Sequence, residues 1–166
     1  WLITSANGGT VSVNVTGLVN FSDFENLTGS TGSDNFVINS GIIPDGVING
    51  GNSQNDSLAF TGSNSADNIV VQSGLINLNS HQIRFTNIDD LNLDSQNGID
   101  NITVTVDSNS PGNFNLNSGS ENDAITVNVM TGATSTLNLN GNSGSGDSLT
   151  VNGTSDDDTI EVDHPA

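Results

Sequence analysis

Apolar and polar residues alternate with period two along most of this chain, most regularly between Leu91 and Val162. One such run recurs as Leu91-Asn92-Leu93, Phe114-Asn115-Leu116 and Leu137-Asn138-Leu139. A second recurs as Ile102-Thr103-Val104, Ile125-Thr126-Val127 and Leu149-Thr150-Val151. Alternation of this kind sends successive side chains to opposite faces and predicts half-buried strands. Between each pair of strands lies a Gly/Ser/Asn-rich turn that closes on an Asp. No helix is predicted, because Gly or Asn interrupts every window in which one could form.

The first runs begin at Leu91, Phe114 and Leu137, 23 residues apart each time. A fixed period in this range is the mark of stacked repeats. Equal phases one period apart would place like residue on like, with rungs ~4.8 Å apart. The predicted fold is therefore all-β: a parallel β-solenoid, or β-helix, of about seven coils of 22–24 residues over 1–166. It would be right-handed, as parallel crossovers usually are, and roughly 34 Å long. A two- or a three-sided coil fits equally well. The whole chain reads as one domain, a segment or protomer of a longer array.

Upstream, strands are expected at Leu2–Thr4, Val11–Val15 and Phe36–Ile38, with a turn at Pro44-Asp45-Gly46. Gly74–Phe85 keeps the alternation but has no Asp between its strands. Asp-closed turns fall at Asp34, Asp56, Asp67, Asp100, Asp123, Asp147 and Asp158, with separations of 22, 11, 33, 23, 24 and 11 residues. Multiples near 11 suggest two columns on opposite sides of the coil. One column would hold Asp34, Asp56, Asn79, Asp100, Asp123 and Asp147. The other would hold Asp45, Asp67, Asp90, Asn113, Thr134 and Asp158.

Composition then narrows the partners. A single Lys or Arg (Arg84) against 19 Asp and Glu gives a net charge of −18. Nucleic acid is not an expected partner, since phosphate binding needs clustered Lys and Arg. Insertion into a membrane is not expected either, because no apolar run is long enough. Cations are the natural partners. Cysteine is absent, so thiolate chemistry is unavailable. Low hydrophobicity (32%) with high net charge would ordinarily suggest disorder, but only 12% of residues are charged and the alternation is clean.

At its turns the chain resembles the calcium-binding nonapeptide (RTX-like) repeats of secreted bacterial proteins, whose pattern is GGxGxDxUx with U large and apolar. Gly29-Ser30-Thr31-Gly32-Ser33-Asp34-Asn35-Phe36-Val37 fits with one Gly replaced. The turns closing on Asp67 and Asp158 keep the Asp and the apolar residue but lose glycines. The stretch from Phe21 to Asn39 and the later Gly50–Phe60 also look like the degenerate repeats of large haemagglutinin-like and adhesin-like bacterial surface proteins. That resemblance implies an extracellular or cell-surface stalk, fibre or coat.

Stacked carboxylates need a partner. Two unit charges ~4.8 Å apart repel by about 3.5 kcal/mol at an effective dielectric of 20. Calcium would relieve this with carboxylate and carbonyl oxygens, giving Asp34, Asp56, Asp67, Asp100, Asp123, Asp147, Asp156, Asp157 and Asp158 as candidate ligands. The alternative is that each Asp accepts hydrogen bonds from the N–H groups of its own turn. The Asn92, Asn115 and Asn138 row is expected to form a stacked amide ladder. Catalysis is not expected: His81 and His164 are the only histidines, Tyr and Lys are absent, and His81, Arg84, Asp89 and Asp90 offer only a conceivable pocket. The expected role is structural, by head-to-tail self-association into a filament or array. A carbohydrate-binding or carbohydrate-processing β-helix is the alternative.

Overall fold

The computed structural model describes residues 1–13, 17–52 and 55–157, which contain sixteen strands and no helix. In chain order these are β1 (Leu2–Ser5), β2 (Gly8–Val13), β3 (Gly17–Ser22), β4 (Leu27–Thr28), β5 (Asn35–Ile38), β6 (Val47–Asn49), β7 (Ser57–Thr61) and β8 (Asn68–Gln72). They continue as β9 (Leu75–Leu78), β10 (His81–Thr86), β11 (Asp90–Asp94), β12 (Asn101–Val106), β13 (Asn113–Asn117), β14 (Ala124–Val129), β15 (Thr136–Asn140) and β16 (Ser148–Asn152). They form two mixed sheets of eight. The first runs β15-β13-β11-β7-β5-β1-β2-β3, the second β16-β14-β12-β8-β9-β10-β6-β4.

From β11 onward, consecutive strands alternate between the sheets, and each pairs in parallel with the strand two places later. The register is the one the repeat predicts. Val104 lies beside Val127 and Val127 beside Val151; Leu91 lies beside Phe114 and Phe114 beside Leu137. The inward rows of both sheets, Phe36, Leu58, Leu91 and Phe114 on one and Ile69, Ile102 and Ile125 on the other, meet in one core. Burying each such side chain contributes about 1.5–3 kcal/mol.

The pairing is not parallel throughout. Ten of the pairings among the described strands are parallel and four are antiparallel. The antiparallel ones belong to two hairpin units, β1-β2-β3 and β8-β9-β10. The second lies in the stretch without an Asp-closed turn. Its tip, Asn79-Ser80, has positive φ at both residues (48° and 78°), which is the two-residue turn whose twist suits an antiparallel hairpin. Asn tolerates the left-handed region because it has a short side chain that can bond locally.

That hairpin explains the separations of 33. Ser57 pairs with Asp90, and Asn68 with Asn101, across the inserted β9-β10. A 33-residue step is thus one repeat plus a hairpin, not a coil and a half. The N-terminal unit has a matching effect on the other sheet. With β2 and β3 added to one sheet and β9 and β10 to the other, both sheets reach eight strands.

Candidate functional site

Among the described residues, the Asp-closed turns at Asp34, Asp56, Asp67, Asp100, Asp123 and Asp147 end immediately before a strand, and this placement builds two carboxylate ladders. In the first, the Asp34 N–H donates to Asp56 Oδ1 (2.8 Å) and the Asp56 N–H to Asp89 Oδ2 (2.9 Å). In the second, the N–H groups of Asp67, Asp100 and Asp123 donate to the Oδ1 atoms of Asp100 (2.8 Å), Asp123 (2.9 Å) and Asp147 (3.0 Å). A carboxylate therefore takes its proton donor from the Asp of the neighbouring rung. Hydrogen bonds to charged groups contribute about 1.5–3 kcal/mol each, comparable to the repulsion between adjacent charges.

The ladders correct the expected columns. Asp34 and Asp56 do not stand with Asp100, Asp123 and Asp147; their column continues to Asp89. Asp67 stands at the head of the other. Asn79 is not a rung of the Asp34 column, but from the hairpin tip its Nδ2 donates to Asp67 Oδ1 (2.6 Å) while its Oδ1 accepts the Asn68 N–H (2.8 Å). In the other expected column, Asp90 and Asn113 do stack, joined by Asn113 Nδ2 to Asp90 Oδ1 (2.6 Å), but the next partner is Thr136 rather than Thr134. Turn N–H groups contribute as well: the Ser30 N–H donates to Asp34 Oδ2 (2.5 Å) and the Ser63 N–H to Asp67 Oδ2 (2.7 Å).

Asp67, Asp100 and Asp123 are buried, at 3%, 1% and 2% exposure. The Oδ2 atoms of Asp100 and Asp123 are also buried and accept no hydrogen bond from the described residues. Burial pushes the Asp100 carboxyl above the usual carboxylate range; the nearby Ser95 side chain and the hydrogen bond from the Asp67 N–H oppose this, and the charges of Asp123 and Asp67 add to it. Asp107 moves the other way. The Asn109 N–H, then the Ser73 hydroxyl, hold it below that range, assisted by Ser110.

Of the remaining candidates, Asp147, Asp156 and Asp157 are exposed, and the Asp156 N–H donates to Thr154 Oγ1 (3.2 Å). Asp158, Ile160–Val162 and His164 lie outside the described residues, as do residues 14–16, which include the end of the expected strand Val11–Val15. Among the described residues no group of three or more His, Asp or Glu side chains gathers in a way that could hold a metal. Of the residues named for a conceivable pocket at His81, Arg84 Nη2 donates to Gln82 Oε1 (2.7 Å) and Asp89 belongs to the Asp56 ladder.

The amide row forms as expected, Asn115 to Asn92 (2.9 Å) and Asn138 to Asn115 (2.8 Å). A second row, Asp94, Asn117 and Asn142, runs beside it. Sequence reading named Asp89 only beside His81, not in the carboxylate ladder, and missed the buried serines Ser95 and Ser118. The Ser95 hydroxyl donates to the Ser118 carbonyl (2.7 Å), one rung on. Their spacing of 23, the same as that of the strands, was the available signal. Comparison with known proteins finds no family model that matches the chain, and no curated protein or solved structure that matches it.

Proposed function

We propose that this chain is an extracellular structural repeat protein, part of a fibre, surface layer or adhesin stalk of bacterial type. In this reading the chain winds as a β-solenoid interrupted by two hairpins, and its coils stack along one axis. The observation that carries it is the arrangement of the polar side chains: they recur as rows, one residue per rung, rather than converging on a point. Rows such as Asn92, Asn115 and Asn138 join rung to rung, which strengthens a rod along its axis. The surface-protein resemblance of the turns supports the location.

Calcium enters this reading at the exposed turn carboxylates Asp147, Asp156 and Asp157. Asp100 and Asp123 are poorer ligands, because each is buried and uses one oxygen for a peptide N–H. Immunogold electron microscopy on intact source cells tests the proposal. Label on a filament or coat outside the envelope is expected; label found only after lysis would sink it.

A second reading, carbohydrate binding, draws on the outer face of β7, β11, β13 and β15. A shallow concavity of about 1080 Å³ lies there, lined by Asn92, Asp94, Asn115, Asn117 and Asn138. Amides and carboxylates suit sugar hydroxyls, but the aromatic residue in the lining, Phe60, is buried in the core and offers no open ring face for a sugar to stack on.

A further inference from the structure

The second sheet contains a joint that the first lacks. In the first sheet β5, from the N-terminal part of the chain, pairs directly with β7. In the second, β6 does not reach β8, because β10 and β9 stand between them. The hairpin β9-β10 therefore connects β6 to the repeats on that side, with Arg84, Phe85 and Thr86 beside Val47, Ile48 and Asn49. Ile48, Ile76, Ile83 and Phe85 are all buried there.

The hairpin is fastened differently from the strands around it. It supplies no rung to either carboxylate ladder; instead Asn79, at its tip, donates to the Asp67 carboxylate that heads the second one. It also differs in charge. Residues 75–86 contain no carboxylate and hold Arg84, the chain's single Lys or Arg, so this segment is formally +1 in a chain of −18. Arg84 is exposed, and its Nη2 donates to the neutral Gln82 Oε1 (2.7 Å). Its charge then acts through the summed field of the chain's 19 carboxylates.

We propose that β9-β10 is a clasp that closes the second sheet and opens as one unit, releasing β6 with it, as salt screens its attraction to the acidic chain. The rest of the chain responds with the opposite sign. Like charges repel one another along the repeats, and screening relieves that repulsion and favours the compact state. The hairpin carries the one opposite charge, so screening removes part of what holds it. Opening of a unit smaller than the whole fold is read directly by amide hydrogen exchange. The inference goes beyond the structural reading above and does not depend on where the protein resides.

Hydrogen exchange of the whole chain across a sodium chloride series tests this, with β11 to β14 as the internal reference. Amides of β9, β10 and β6 are expected to exchange together, and roughly two- to fivefold faster at high salt than at low, the range a single surface charge commands. Those of β11 to β14 should slow or hold steady over the same series. Arg84→Gln should raise hairpin exchange at low salt to its high-salt value, remove the salt response and leave β11 to β14 unchanged. Thermal melts check that the variant remains folded. Hairpin amides that slow with salt in step with β11 to β14, or a β6 that stays protected while the hairpin exchanges, would overturn the clasp. So would a folded Arg84→Gln that keeps the wild-type salt response. Cell-surface labelling decides the structural reading separately.

Discussion

The backbone N–H of Asp67 lies 2.8 Å from Oδ1 of Asp100, 33 residues later in the chain. One carboxylate thus secures the turn of its neighbour, and the same contact recurs from Asp100 to Asp123. A charge that would repel its neighbours is held in place by a peptide dipole supplied by one of them. Asp100→Ala should leave the Asp67 N–H buried without an acceptor and cost about 1–3 kcal/mol. Urea unfolding at neutral pH checks the loss.

Asp100 and Asp107 should give opposite slopes of stability against pH. Asp100 is raised, so the native state holds its proton more tightly than the unfolded chain does. Its contribution is fully present below the unfolded carboxyl value and is lost as pH rises through the folded one. Asp107 is lowered, so its contribution is present above the unfolded value and is lost as pH falls through the folded one. Asp100→Asn should remove the first slope and Asp107→Asn the second. Denaturation midpoints across the acid range measure both, and two variants that parallel the wild type would contradict the assignment.

Gly119 leaves almost no room for a side chain. Its φ is +92°, and a Cβ there would sit 1.4 Å from the Gln96 carbonyl of the adjoining rung, which accepts the Ser120 N–H. Gly119→Ala is expected to be severely destabilising, by more than about 3 kcal/mol. Gly132, also at positive φ (+84°) but with its nearest neighbour 3.7 Å away, should cost only about 1 kcal/mol as Ala. Thermal unfolding of the two variants compares them.

Calcium should act at the exposed turns. Stabilisation by calcium beyond that of sodium chloride at equal ionic strength is expected to fall in the Asp156→Asn/Asp157→Asn double variant and to persist in Asp100→Asn. Calorimetric titration reads the difference; the reverse pattern would place the cation in the buried ladder instead.

The amide face separates the structural from the carbohydrate reading. Asn115→Ala removes the middle of the Asn92–Asn138 row and should lower stability by about 1 kcal/mol. Neutral and acidic oligosaccharides should show no saturable binding to the wild type by titration calorimetry. Binding that Asn115→Ala abolishes would favour the carbohydrate reading.

Strand phase, the repeat of 23 and the inward rows were legible in the residues themselves, because alternation and turn chemistry are local and the later repeats copy one another closely. Ile102 beside Ile125 and Asn92 beside Asn115 follow from that alone. Which Asp stands beneath which did not. Steps of 22 and 33 are both multiples of 11, so spacing could not tell a half-coil from an inserted hairpin, and Asp56 was joined to the wrong column. The tertiary structure decides this through long-range pairing: β7 meets β11, β8 meets β12, and β9 and β10 fold back between β8 and β6. Local alternation looks the same for a parallel and an antiparallel strand, so direction is settled only by the neighbour each strand finds.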